Sequence, residues 1–166
     1  MPAADAIPVL ITRHLAVPAA AVNTALAVDP AVLFGATGGP GIDGGGRHHV
    51  PLEVRFAGVR FDRLAAVGFG PVIEEDDGTR VLPLWWEAAD QPHLFPTFVG
   101  GLEVRSHGDG AELRLQGHYR PPLGAAGGLV NRTILNKAAT ASLETLLDRL
   151  AGDLAATASR PLVPGP

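Results

Sequence analysis

The chain has no cysteine, so it holds no disulfide framework, thiolate nucleophile or thiolate metal site. Lysine occurs once, at Lys137, and the 13 basic residues are scattered among 17 acids for a net charge of -4. That distribution offers no basic stripe for a phosphate backbone, and nucleic acid is not an expected partner. No segment approaches the roughly 18 to 20 uninterrupted apolar residues of a spanning helix, so membrane insertion is not expected either. The alanine-rich run from Val17 to Ala27 invites a secretory reading, but no basic residue precedes Ile7 to Ile11, and Arg13 and His14 interrupt the run. A cytoplasmic location follows as the expectation. There is no Gly-x-Ser-x-Gly elbow. The glycine-rich stretch 35–46 lacks the Gly-Lys-Ser/Thr ending of a phosphate loop and reads as a flexible loop. No cofactor is expected.

What is present suits one folded domain. Over 166 residues, 46% are apolar and 18% charged, enough to bury a single core. We place the domain at residues 1–154 and a disordered tail at 155–166, where no pattern remains. Alanine, glycine and proline fill 62 of the 166 positions, and arginine outnumbers lysine twelve to one, the bias of a GC-rich bacterial genome.

Ile7, Val9 and Ile11 recur at period two and predict a strand over 7–17. Pro18 suits a helix start, and Ala19 to Val28 supplies helix formers. Asp29-Pro30 opens a second short helix that ends at Gly35. From Val50 the pattern turns to strands and tight turns. A turn at Gly58 and Val59 would set Phe56 opposite Phe61. One strand over 63–74 and another over 79–88 flank Asp77-Gly78, a strong hairpin signal. A loop at Gly108-Asp109 makes a sharper prediction: Arg105 faces Glu112 and Glu103 faces Arg114 on one side, while Val104 meets Leu113 and Leu102 meets Leu115 on the other. After Tyr119, Arg120-Pro121-Pro122 ends the last strand. Apolar residues at three- and four-residue steps then predict a helix from about Leu129 to Leu154, roughly 39 Å long.

This order implies an α+β helix-grip fold: a curved antiparallel sheet of about six to seven strands around a long C-terminal helix, with two short helices after the first strand. The segments Pro83-Leu-Trp-Trp-Glu87, Leu94-Phe-Pro96, Gly101-Leu-Glu103, Gly117-His-Tyr-Arg-Pro-Pro-Leu-Gly124 and Asn131-Arg132 resemble bacterial members of the SRPBCC superfamily. That group includes START-type lipid carriers, polyketide cyclases and pollen-allergen-like proteins. The resemblance implies an apolar ligand held between sheet and helix, and no particular reaction.

The residues that would line such a cavity follow from their positions. Trp85 and Trp86 are neighbours on a strand, so only one of them can face inward, and the sequence leaves open which. Glu87 shares the face of Trp85; inside an apolar cavity its carboxyl would be a candidate acid or base. Tyr119 continues the inward line of Leu113, Leu115 and Gly117, which makes its hydroxyl the best polar group of the cavity. His93 lies in a proline-bracketed loop and completes the catalytic candidates. Ala138, Ala141 and Ser142 are small residues that either leave room on the long helix or let it pack closely on the sheet. His48 and His49 split between faces with no third ligand at a suitable spacing, so no metal site is expected. Two readings follow. One is a binder of a lipid- or polyketide-like molecule; the other is a cyclase- or dehydratase-like enzyme using the same cavity through Glu87, His93 or Tyr119. A homodimer with its function on a surface is a third possibility.

Overall fold

The structure, a computed structural model, describes residues 6–28, 48–56, 59–89, 97–120 and 132–159. Its elements are β1 (Ile7–Leu15), α1 (Ala19–Val28), β2 (His48–Phe56), β3 (Val59–Phe69), β4 (Ile73–Glu74), β5 (Arg80–Ala88), β6 (Thr97–His107), β7 (Gly110–Arg120) and α2 (Arg132–Ala158). The strands form one antiparallel sheet in the order β1-β7-β6-β5-β3-β2, with β4 also paired to β5. Most pairings join strands close in sequence, with β3 and β4 both pairing β5, whereas β1 pairs the distant β7.

Local chemistry accounts for most of these elements. Pro18 begins α1, and its carbonyl accepts the amides of Ala21 and Val22 at 3.0 and 3.2 Å. The turn into β5 carries Gly78 at φ 80°. The Gly78 amide donates to the Glu75 carbonyl at 2.9 Å, and the Thr79 amide donates to Asp77 Oδ1 at 2.9 Å. This is a turn closed by a left-handed glycine and an Asx bond. At the other tight hairpin Gly108 has φ 57°. The register there sets Arg105 opposite Glu112, Glu103 opposite Arg114, Val104 opposite Leu113 and Leu102 opposite Leu115, as the alternation of charged and aliphatic residues predicts.

Several expectations are corrected. Phe56 stands opposite Val59, and Phe61 opposite Val54, so the turn is one residue earlier than placed above. The strand expected over 63–74 breaks between Phe69 and Ile73. The Gly70 amide donates to the Pro83 carbonyl at 2.9 Å, but Pro83 has no amide to return the bond and Pro71 has none to continue the ladder. Helix α2 runs four residues beyond Leu154, where a tail was expected to begin. Ala155, Ala156 and Ala158 sustain a helix by propensity without any apolar period, and Ser159 bonds back to the Ala155 carbonyl through its amide and hydroxyl. The second short helix, the loop 35–46 and the glycines between 124 and 128 lie outside the described residues.

Opposed residues share a face, so the registers sort the sheet into two sides. On the inner side Leu82, Leu102, Leu115 and Ile11 form one row across β5, β6, β7 and β1, all buried. Helix α2 lays Leu143, Leu147, Leu150 and Leu154 against this side, and α1 adds Val22, Ala25 and Leu26. Each fully buried aliphatic side chain contributes about 1.5–3 kcal/mol, so this cluster dominates the folding energy. Helix α2 makes its main approaches to β1 and β2, the two edges of the sheet, while α1 covers β6 and β7. Five strand spacings of about 4.8 Å separate those edges, a span that the 27-residue helix, about 40 Å long, can reach across. An ion pair between Arg13 of β1 and Asp148 of α2 joins helix to edge. Among the described residues no helix is long and apolar enough to cross a membrane.

Candidate functional site

One cross-strand row on the inner side differs from the aliphatic rows beside it. His48, Val67, Trp86, Phe98, Tyr119 and Ile7 follow one another from β2 to β1, and three adjacent members are aromatic. The Trp86 and Phe98 rings stack with centroids 4.3 Å apart and 16° between their planes. Phe98 is fully buried, and it lies over a bare stretch of backbone. A Cβ on Gly100 or on Gly117, which oppose each other in the next row, would come within 2.7 Å of its ring. The two glycines leave a flat stretch of backbone against which the Phe98 ring lies, and Trp86 continues the aromatic row onto β5.

The row lies at the end of the sheet away from α1. Strand β1 enters α1 beyond Leu15, which opposes Ala111, whereas Ile7 opposes Tyr119. Eight residues of strand place Tyr119 about 26 Å from Ala111. The lower part of the inner side is filled by α1 and by the C-terminal half of α2, from Leu143 onward. The aromatic row belongs to the same buried cluster and forms its end away from α1.

Polarity in the row is confined to two places. Tyr119 is 7% exposed, and burial pushes its phenol well above the ordinary range, so it stays a neutral hydroxyl that can donate and accept one bond. His48, half-buried at the β2 end, tilts against Phe69 with centroids 5.7 Å apart. Four strand spacings, about 19 Å measured along the sheet, separate it from Tyr119.

The structure answers which tryptophan faces inward. Trp86 is 4% exposed and Trp85 39%. Trp85 lies on the outer side, its indole resting on Gly68, where a Cβ would sit 2.4–2.6 Å from three indole atoms. Glu87 is two residues from Trp85, opposite Ala66, and so shares that outer side. The pleat therefore separates Glu87 from Tyr119 and does not bring them to one point, as shared proton transfer would require. Ala141 is exposed, because at 100° per residue it stands about 200° around the helix from Leu143; it faces away from the sheet. Ala138 and Ser142 belong to α2, but their side chains are outside the described set, as is the whole of His93. Of the expected lining, Trp86 and Tyr119 come together, and sequence reasoning missed Phe98 between them. Its signal was present: Phe98 has the parity of Leu102 and Val104.

A different group is assembled on the outer side. His14, His107 and Glu112 place their ligating atoms within 4.8 Å of one another, where no metal site was expected. Glu103, also on that side, is buried beneath its neighbours, bonded to Gln116 and 3.2 Å from Arg105 Nη2.

No protein-family model and no curated protein sequence matches this chain. Solved structures do resemble it. The protein TTHA0849 of Thermus thermophilus superposes with a TM-score of 0.57 at 18% identity, covering 92% of this chain and 100% of that one. The di-domain ARO/CYC protein BexL of the BE-7585A biosynthetic pathway gives 0.53 at 12% identity, over 96% of this chain and 52% of BexL. Ara h 8.0201 gives 0.50 at 12% identity, over 91% and 99%. At these identities the likeness is one of fold alone, an antiparallel sheet gripping a long C-terminal helix.

Proposed function

We propose that the protein binds a hydrophobic small molecule between the sheet and α2, and that the ligand carries a flat, polyketide-like ring portion. The observation that carries this reading is the aromatic row, where Trp86 and Phe98 stack on each other and Tyr119 places a buried hydroxyl in the same row. A ligand burying roughly 250 Å² of apolar surface would gain about 6 kcal/mol in gross driving force. Stacking adds about 0.5–1.5 kcal/mol and a phenolic hydrogen bond about 1 kcal/mol, so ring faces and hydroxyl each set affinity by several-fold. The architecture shared with an ARO/CYC protein supports a ligand of this kind. Among the described residues Glu87 and Tyr119 stand on opposite sides of the sheet and do not converge on one point as cyclase chemistry would call for, which favours binding over catalysis.

Native mass spectrometry of freshly purified protein tests the proposal, followed by fluorescence titration with a tricyclic aromatic probe. A bound apolar mass or a saturable titration is expected, weakened several-fold by Tyr119→Phe and several-fold by Trp86→Leu. Absence of both signals would show that side chains fill the interior, and binding indifferent to both substitutions would place the ligand elsewhere.

A further inference from the structure

Three ligand-type side chains from three strands meet on the outer side, at the end of the sheet where β6 turns into β7. His14 of β1 stands opposite Glu112 of β7. Arg105 also opposes Glu112, and His107, two residues along from Arg105, projects from the same side. His14 Nδ1 lies 3.9 Å from Glu112 Oε2, and the two imidazole centroids are 4.5 Å apart, tilted by 37°. The hairpin closed by Gly108 fixes the backbone beneath His107 and Glu112. The Glu112 carboxylate is oriented as well: Arg114 Nη2 holds Oε1 at 3.1 Å, which leaves Oε2 turned toward His14. A ligating carboxylate commonly has such an outer partner on its second oxygen.

We propose that His14, His107 and Glu112 form a binding site for a divalent d-block cation of the zinc class. Two imidazoles and one carboxylate are a donor set of that class, whereas calcium and magnesium favour oxygen donors throughout. Bonds of about 2.0–2.2 Å in a tetrahedron put ligand atoms about 3.3 Å apart. The present spacing, at most 4.8 Å, closes to that by small rotations of His14 and His107, both exposed. The fourth position faces solvent and takes water or an external ligand. The guanidinium of Arg114 sits behind the carboxylate and opposes a cation, so affinity in the micromolar range is expected. Seven residues of β7, about 23 Å, and the thickness of the sheet separate this site from Tyr119, so it is independent of the ligand reading above.

The test is isothermal titration of the untagged, chelator-treated full chain with Zn²⁺, accompanied by the visible absorption of Co²⁺ as a probe of tetrahedral coordination. One equivalent is expected to bind. His14→Ala and His107→Ala should each weaken binding at least tenfold and remove the Co²⁺ band, while His49→Ala, exposed on the same side but away from the cluster, changes affinity less than twofold. Circular dichroism establishes that the variants are folded, which their exposed positions favour. Binding that survives both histidine substitutions, a loss caused by His49→Ala, or no binding at millimolar Zn²⁺ would each overturn the site.

Discussion

Replacing Phe98 with alanine is the sharpest probe of how the inner face is built. The ring has no exposed surface, stacks on Trp86 at 4.3 Å and covers two glycines that have no side chains of their own to move into the space. Buried Phe→Ala changes cost about 3–5 kcal/mol, the higher values belonging to sites that cannot collapse. Loss of an aromatic pair adds about 0.5–1.5 kcal/mol. A loss of at least about 4 kcal/mol is therefore expected. With a urea dependence of about 2 kcal/mol per molar, the unfolding midpoint would fall by about 2 M, and the melting temperature by about 8–16 °C. Phe98→Leu, which retains part of the volume, should lose about 1–2 kcal/mol and keeps the comparison measurable if the alanine variant is largely unfolded. Equilibrium urea unfolding followed by tryptophan fluorescence gives both numbers, since Trp86 reports directly on the stack. A loss below about 1.5 kcal/mol for Phe98→Ala would refute the reasoning, because it would mean that the backbone closes over the glycines without a ring.

Other perturbations reach separate parts of the structure. Tyr119 is the chain's one tyrosine; burial raises its pKa in the folded protein, so above about pH 10 the unfolded chain releases a proton that the folded chain keeps, and stability falls as pH rises. Melting temperatures from pH 8 to 11 should show a steeper alkaline decline for the native sequence than for Tyr119→Phe, with ultraviolet titration of the phenolate as the direct check. Gly68→Val should push the Trp85 indole off the sheet at less than about 1 kcal/mol, because the ring is the free end of a partly exposed side chain; a red-shifted, more quenchable tryptophan emission is expected. Asp148→Asn should lose only about 0.2–1 kcal/mol, since both partners of the Arg13 pair are substantially exposed, and 1 M salt should abolish the difference.

Helix α1, the hairpin register between Leu102 and Leu115 and the inward direction of Tyr119 were legible in the chain itself. They follow from short-range rules: a proline before helix formers, a two-residue turn between paired strands, and strict alternation counted outward from that turn. Those rules weaken where the residues lack contrast. Ala138 to Ala141 has almost no apolar period, so nothing local shows which way Ala141 points, and the answer comes from the leucines a turn or more later. Trp85 and Trp86 are equally apolar, and only the parity of Trp86 with Leu82 and Leu84, all three buried, separates them.

The sequence alone determined the alternation of faces, the turns and the helical stripe, because each is written into residues a few positions apart. Only the tertiary structure decided that β1 closes beside β7. That pairing carries His14 to Glu112 across 98 positions of chain, and the neighbouring pairs align Trp86, Phe98 and Tyr119 from three strands. Groups brought together by strand order leave no spacing in the sequence to find, since their distance in space is set by hydrogen bonds between strands and not by the length of chain that joins them.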